Sequence, residues 1–181
     1  MTLSDWEQLR EETLVRYKVF DVKKATRRSP RTGQDIGFFL IRTPAWVNVV
    51  ALTDADELLL VRQYRHGTEA MSLEIPGGLV DPDEQPEAAA GRELREETGF
   101  EASSLQPIGV MTPNPAIFSN RCHTYLATGC RRVGDPDLDP GEDLEVVVVP
   151  AGDVDAMVRA GEIDHALVLA ALAFWRAHRS P

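Results

Sequence analysis

The part of the chain that most constrains its fold is the stretch GLVDPDEQPEAAAGRELREETGF, residues 78–100. It places seven carboxylates and two arginines in a chain whose net charge is already −10. Pro86 and Gly99 stand where a helix would begin and end, because proline suits a first turn and glycine suits a C-terminal cap. The stretch therefore predicts a loop followed by a helix that stops sharply at Gly99.

Three glutamates of this predicted helix share one side. Glu93, Glu96 and Glu97 fall within an arc of roughly 100°, because residues three and four apart are neighbours on a helix. Like charges so placed repel each other, and a divalent cation such as magnesium or manganese would neutralise them. The alternative is a solvated helix in which Arg92 pairs with Glu96 and the other acids only add solubility.

The overall charge and composition exclude several classes of function. The 29 acidic residues outnumber the 19 basic ones, which argues against a nucleic-acid partner, since such binding needs a basic face. The first residues have neither a basic start nor an apolar run, and the most apolar later run, residues 166–175, is far shorter than the roughly 20 residues of a membrane span. We expect no membrane association and a cytoplasmic location. Cys122 and Cys130 show no metal-ligand or disulfide spacing and are predicted to be unpaired thiols.

The hydrophobic pattern predicts a mixed α/β chain. A capping-box pattern predicts a short helix over Ser4–Glu12, and residues 14–42 read as a β-hairpin turned by SPRTGQD. Two apolar segments, WVNVVALT and LLLVRQYR, are typical of strands covered on both faces. Two C-terminal helices are expected, from Asp153 to Ala160 and from Asp164 to about His178.

The acidic segment also carries a longer pattern. Its residues reproduce G-x5-E-x7-R-E-U-x-E-E-x-G-U, where U is a bulky apolar residue, in Gly78, Glu84, Arg92, Glu93, Leu94, Glu96, Glu97, Gly99 and Phe100. In this pattern the chain resembles the Nudix hydrolases. The resemblance implies an α/β/α sandwich with a mixed central sheet, over residues 45–181, and a small N-terminal β extension over residues 1–44. It also implies cleavage of a nucleoside diphosphate linked to another group.

The resemblance further implies roles for the residues of this pattern. Glu93 and Glu97 would be the main metal ligands, with Glu96 close beside them as a further ligand or catalytic group. The carbonyl of Gly77 or Gly78 would be a backbone ligand, because small residues let the chain approach a metal closely. Arg92 would orient the carboxylates by salt bridges, and Glu84 would assist from the loop.

The segment before this pattern resembles the ADP-ribose and nucleotide-sugar pyrophosphatases. The resemblance implies that Arg65 contacts the pyrophosphate or the terminal sugar, and that Glu74 and Gly78 lie at the substrate near the metals. Arg62 is the weaker candidate, because residues three apart point to opposite faces of a regular strand. The alternative is that both arginines merely face solvent. Pro115 matches a proline of that group, although its loop, NPAIFSN, lacks the glycine that often follows.

A second acidic loop, LDPGED, precedes the apolar run LEVVVVP. In the resembling enzymes its glutamate is the general base or a third metal ligand, and Glu142 occupies that place. Asp143 is the neighbour to consider if Glu142 points away, and a solvated loop is the alternative. We interpret His123 and His165 as ordinary strand and helix-start residues.

Together these observations predict a magnesium- or manganese-dependent hydrolase. The substrate would be a small-molecule nucleotide, namely ADP-ribose or a related nucleoside diphosphate sugar, cleaved to a nucleoside monophosphate and a sugar phosphate. The resemblance further implies that the N-terminal extension forms a homodimer and walls the nucleotide site. Hydrolysis of a dinucleoside polyphosphate, NADH or coenzyme A remains an alternative, as does a sensor that binds a nucleotide sugar without cleaving it.

Overall fold

The computed structural model of the protein describes residues 4–179. The chain folds into two compact units. The smaller unit comprises residues up to Pro44 together with Thr112–Arg121, and the larger comprises Ala45–Met111 together with the chain from Cys122 onward.

The smaller unit is built on a three-stranded antiparallel sheet. Its strands, in spatial order, are β1 (Glu7–Arg16), β2 (Asp21–Arg28) and β3 (Asp35–Arg42). The strands β2 and β3 form the hairpin that the sequence predicted, with its turn over residues 29–34. A further turn over residues 17–20 separates β1 from β2.

The predicted helix over Ser4–Glu12 is wrong, because the chain forms β1 there. Its residues are good helix formers, but intrinsic propensity is a weak preference that tertiary pairing overrides. Here β1 pairs with β2 over nearly its whole length. Glu11 is also 2.7 Å from Arg42 and 3.5 Å from Lys23, so its charge is matched only in the sheet.

The larger unit is built on a seven-stranded sheet. Its strands are β4 (Trp46–Thr53), β5 (Glu57–Arg65), β6 (Ala70–Glu74), β7 (Phe100–Glu101), β8 (Ser104–Met111), β9 (Cys122–Arg132) and β10 (Leu144–Pro150). The order is β10-β5-β4-β9-β7, with β6 also paired to β5 and β8 to β9. The β4–β9 pair is parallel and the other pairs are antiparallel, so the sheet is mixed.

Helices cover both faces of this sheet. They are α1 (Pro86–Thr98), α2 (Val154–Ala160) and α3 (Ala166–Arg179), with a 3-10 turn at Ala151–Asp153. One core joins α1 to the sheet through Ala89, Ala90, Leu94, Val47, Val49 and Leu59. The other joins α2 and α3 to the opposite face through Val154, Val168, Leu172, Val50, Leu58 and Leu60. Strands β4 and β5 are apolar on both faces because each face is covered, and the predicted α/β/α arrangement is confirmed.

The remaining predicted helices lie close to their predicted positions. The helix α1 spans the predicted residues and ends at Gly99, whose φ of 74° is the left-handed conformation that favours glycine. The helix α3 begins at Ala166, two residues after its predicted start. Cys122 and Cys130 are buried and unpaired, as predicted. Among residues 4–179, every helix is too short or too polar to span a bilayer.

Candidate active site

The helix α1 presents its acidic residues in two environments. Its inner side packs Ala89, Ala90 and Leu94 against the sheet, and the same side carries Glu93 and Glu97. These two glutamates are only 8% and 4% exposed, whereas the Glu96 side chain is 39% exposed. Burial of ionised carboxylates is costly unless they are paired, so their contacts are informative.

Glu97 lies against the loop that precedes α1. Its Oε2 accepts a 2.9 Å hydrogen bond from the backbone N–H of Gly77. The pKa of Glu97 is raised to about 8, chiefly by burial, and the charges of Glu93 and Glu142 raise it further. The hydrogen bond from Gly77 and the charge of Arg65 act in the opposite direction. The site therefore concentrates negative charge in a poorly solvated place.

Two glycines let the loop approach both a strand and α1. A side chain at Gly77 would overlap the backbone of β4 at Val47, and one at Gly78 would overlap the Glu93 carboxylate. The Gly78 carbonyl accepts the N–H of Val47 at 2.9 Å, and the Pro76 carbonyl accepts the N–H of Val49 at 2.8 Å. The Gly77 carbonyl is thus the one that this pairing with β4 does not use.

Arg92 joins three carboxylates around α1. Its Nε and Nη2 donate to Glu84 at 3.1 and 2.9 Å, and its Nη1 donates at 2.9 Å to both Glu93 and Glu96. A fourth partner is the Leu79 carbonyl, at 3.0 Å from Nη2. The hydrogen bonds with Arg92 lower the pKa of Glu84, while burial raises the pKa of Glu93 despite Arg92. Arg92 therefore fixes the loop, through Glu84, to the charged face of α1.

A second ion pair lies at the ends of β5 and β6. Arg65 donates from Nε and Nη2 to the two oxygens of Glu74, at 2.6 and 2.7 Å. Glu74 is 4% exposed, whereas nearly half of the Arg65 side chain is exposed. The charge of Glu97 helps to raise the pKa of Arg65, after the larger effect of Glu74, so the arginine also lies within the field of α1.

The second acidic loop contributes Glu142. Its carboxylate accepts the N–H of Asp139 at 3.0 Å, and its own N–H donates to the Asp139 carbonyl at 2.8 Å. The loop is attached to α1 where the N–H of Asp137 donates to the Glu96 carbonyl at 2.8 Å. Glu142 is exposed, and its charge helps to raise the pKa of both Glu93 and Glu97 after the larger effect of their burial.

Comparison with known protein families bears directly on this arrangement. The NUDIX domain model matches residues 42–172, which is most of the chain. The chain belongs to the Nudix family. The predicted family is thereby confirmed. The loop that precedes α1 and α1 itself carry the Nudix sequence pattern, and the glutamates of α1 belong to it.

Relatives of this Nudix protein include two named for one activity. The ADP-ribose pyrophosphatase of Mycobacterium tuberculosis is 32% identical over 172 residues, covering 94% of this chain and 83% of that protein. The ADP-ribose pyrophosphatase of Bacillus subtilis is 33% identical over 125 residues, covering 68% of each. A crystal structure of an ADP compounds hydrolase is similar with a TM-score of 0.85 and 28% identity, covering 98% of this chain and 95% of that one.

Of the predicted substrate residues in the larger unit, Arg62 is not brought to the glutamates of this Nudix site by any contact described within residues 4–179. Arg62 pairs with Glu145 of β10 at 3.1 Å, on the opposite face of β5 from Arg65. Pro115 lies in the segment Thr112–Arg121, which belongs to the smaller unit. Asp143 is exposed beside Glu142.

The glutamates of the Nudix pattern supply oxygen donors of the kind that a hard divalent metal prefers. As the side chains stand within residues 4–179, no three acidic, thiol or imidazole groups are close enough together to hold an ion. Arg92 holds Glu93 and Glu96, and the Gly77 N–H holds Glu97. The donor set nevertheless fits a hard cation, because Glu93 and Glu97 are buried oxygen donors whose mutual repulsion raises the pKa of Glu97 beyond the effect of burial.

Sequence reasoning missed a neighbour of Glu74. The Nε2 atom of His165 lies 3.9 Å from Glu74 Oε2, and the His165 side chain is partly exposed. The histidine stands just before α3, far from Glu74 in the sequence, so no local pattern links the two residues. Asn48 of β4 was also missed; its Nδ2 donates to the Leu167 carbonyl at 3.3 Å.

Proposed function

We propose that this Nudix hydrolase cleaves the pyrophosphate bond of a nucleoside diphosphate sugar, with ADP-ribose as the first candidate. One observation carries the proposal: the buried acid Glu97 lies within the electrostatic reach of both Arg65 and Glu142, and its neighbour Glu93 lies within that of Glu142. The site thereby combines ligands for a cation, a hydrogen-bond donor for a phosphate and an exposed base. The names of the two ADP-ribose pyrophosphatases and of the ADP compounds hydrolase support this substrate class.

The residues of α1 would hold the metal. Glu93 and Glu97, with Glu96 beside them and the Gly77 carbonyl, would bind Mg²⁺ or Mn²⁺. The ion would supply positive charge to the diphosphate oxygens and make a water more acidic. Arg92 would keep the three glutamates ordered through its bonds to Glu84, Glu93 and Glu96.

The other residues would act on the substrate and the water. Arg65 would donate to the diphosphate from the guanidinium N–H groups that Glu74 does not use. Glu142 would accept a proton from the water as its oxygen bonds to phosphorus. The bond between that phosphorus and the bridging oxygen would break, so that one water is consumed and two phosphate monoesters form.

A substrate panel tests this function. Purified protein with Mg²⁺ would be given ADP-ribose, GDP-mannose, UDP-glucose, NADH or diadenosine polyphosphates, and a phosphatase would release phosphate from the products. We expect the highest kcat/KM for ADP-ribose, with AMP and ribose phosphate as products. Higher kcat/KM for NADH or a dinucleoside polyphosphate would refute the substrate, and tight binding of a nucleotide sugar without cleavage would support a sensor.

We also propose that the protein is a homodimer joined through its smaller unit. That unit exposes several large apolar side chains, among them Tyr17, Phe39, Val15 and Trp6. Among its exposed apolar side chains, the rings of Trp6 and Phe38 lie 5.4 Å apart, and contiguous exposed apolar side chains mark interaction surfaces more often than single ones do. Light scattering at micromolar concentration should give a mass near twice that of the chain, and the mass of one chain would count against the proposal.

A further inference from the structure

Three groups surround the buried carboxylate of Glu74. Arg65 donates to both of its oxygens, a hydrogen bond from Ser72 contributes to its ionised state, and His165 Nε2 faces Oε2 at 3.9 Å. Burial would raise the pKa of Glu74, but Arg65 together with His165 and Ser72 lowers it overall. Each carboxylate oxygen has two acceptor sites, and the Arg65 fork uses only one on each. The Nε2 atom of His165 is within ion-pair distance of Oε2 but beyond hydrogen-bond distance.

The backbone that carries His165 is fixed at the start of α3. The His165 carbonyl accepts the N–H of Leu169 at 3.0 Å in the first turn of α3. Two residues after the histidine, the Leu167 carbonyl accepts Asn48 Nδ2 at 3.3 Å, which ties the start of α3 to β4. This is the same part of β4 whose N–H groups, at Val47 and Val49, hold the loop of Gly77 and Gly78. One strand thus sets the position of both the histidine and the glycine loop.

Only one of the two ring nitrogens of His165 has a polar partner within residues 4–179. Its Nδ1 is buried and has no hydrogen-bond partner among the side chains and backbone of residues 4–179. The polar connection of the ring to the protein therefore runs through Nε2 and Glu74. A residue that only filled space at this position would not need a nitrogen directed at a buried carboxylate.

We propose that His165 is a positioning residue which, through Glu74, holds the Arg65 guanidinium in the orientation that receives the substrate's phosphate. The proposal rests on the proposed function, because it takes Arg65 as the hydrogen-bond donor to the phosphate of the substrate. Glu74 can hold Arg65 in more than one geometry, since a carboxylate accepts over a broad range of angles. With His165 Nε2 within ion-pair distance of Oε2, a second group besides the Arg65 fork restrains the Glu74 carboxylate, and the direction of the free Arg65 N–H groups is restrained with it.

The kinetic test compares three substitutions of His165. His165→Gln keeps a donor, His165→Phe keeps the ring without a donor, and His165→Ala removes both. We expect the Phe and Ala variants to raise KM for the best panel substrate about 3- to 5-fold, the effect of a contact worth up to ~1 kcal/mol. The Gln variant should keep KM within about twofold of wild type, and kcat should change less than KM in all three. His178→Gln, at the exposed far end of α3, is the matched control and should change neither constant.

A double-mutant cycle shows whether the effect passes through Arg65. In an Arg65→Ala background, His165→Phe should cause no further rise in KM, because the positioned group is gone. If His165→Phe alone keeps the wild-type KM, or if its full effect persists without Arg65, the proposal is wrong.

A substrate-free readout separates this proposal from the proposed function. The Arg65 Nε–H bond to Glu74 should give a ¹⁵N-labelled NMR signal that exchanges slowly with water, because the bond is short and its acceptor is buried. His165→Phe should speed this exchange at least threefold, whereas His165→Gln should not. The NMR effect without cleavage of any panel substrate would retain the positioning role and refute the function. Cleavage of ADP-ribose, together with an unchanged rate of Arg65 Nε–H exchange in the Phe variant, would support the function and refute the positioning role.

Discussion

Two acidic segments of this Nudix chain, α1 and the loop of residues 135–143, hold their carboxylates in different environments. On α1 the acids Glu93 and Glu97 are buried, and each accepts a hydrogen bond from a fixed donor. In the loop the acids are exposed, and Glu142 accepts only a local bond from Asp139. Yet the loop is attached to α1 at Glu96, so its charge reaches the same site.

The difference between these segments indicates two roles, metal binding for the acids of α1 and proton transfer for the acid of the loop. Acids held in a poorly solvated place repel each other, and a cation bound there would relieve that repulsion. An exposed acid on a loop costs the fold little and is free to approach a water molecule. Substitutions in α1 should therefore change both stability and activity, whereas substitutions in the loop should change activity alone.

The largest effect is expected for Glu97→Gln. The amide still accepts the Gly77 N–H but lacks the charge that holds a divalent cation, so kcat/KM should fall about 10³-fold, or ~4 kcal/mol in activation free energy. The measurement is hydrolysis of the best panel substrate at saturating Mg²⁺, and the control is Glu87→Gln, an exposed acid of the same helix. Near-native rates for Glu97→Gln would show that α1 does not bind the metal.

The next effect concerns Glu142→Gln in the loop. Loss of the proton acceptor should lower kcat about 10²-fold. Because the side chain is exposed, the free energy of unfolding should stay within about 0.5 kcal/mol of wild type. Kinetics and urea unfolding measure the two quantities on the same samples. Asp143→Asn is the matched control, and a larger loss of kcat in that variant would assign the base to Asp143.

The sequence could predict the first segment better than the second. The spacing of Glu93 and Glu97 on a helix capped by Gly99 leaves one geometry, so their shared face followed from periodicity alone. The environment of Glu142 depends on how the loop attaches at Glu96, which no local pattern encodes. The closeness of His165 to Glu74 likewise depends on packing between distant segments.

For the N-terminal strand β1, the sequence predicted the wrong secondary structure. Residues of β1 favour a helix by intrinsic propensity, and only the pairing with β2 reveals a strand. Glu11 looked like an ordinary helix acid, but it bridges Arg42 and Lys23 of neighbouring strands. Long-range pairing decided this element, and a single sequence contains little information about it.

A smaller effect is expected for Arg92, which connects both parts of the Nudix pattern. Arg92→Lys keeps the charge but lacks the planar fork, so it cannot serve Glu84, Glu93 and Glu96 together. We expect kcat/KM to fall about 10- to 100-fold through misplaced ligands. We also expect the melting temperature to fall by about 2–8 °C for a loss of ~1–2 kcal/mol. Arg95→Lys, whose side chain is more exposed, is the control, and equal effects in both variants would contradict the special role of Arg92.

The smallest effect, and the one that separates the two segments most directly, is the dependence of stability on pH in metal-free protein. The pKa of Glu97 is raised from 4.5 to about 8, chiefly by burial. Its contribution to stability is therefore fully present below pH 4.5 and is lost as the pH rises through about 8, because the folded state binds the proton more tightly than the unfolded state. In the presence of a chelator, Glu97→Gln should melt about 2–8 °C above wild type at pH 8, for a gain of ~1–2 kcal/mol. The difference should vanish at pH 4, where both side chains are neutral. Glu142→Gln should show no such difference at either pH, and an equal gain in that variant would mean that the loop acid is as poorly solvated as the helix acid.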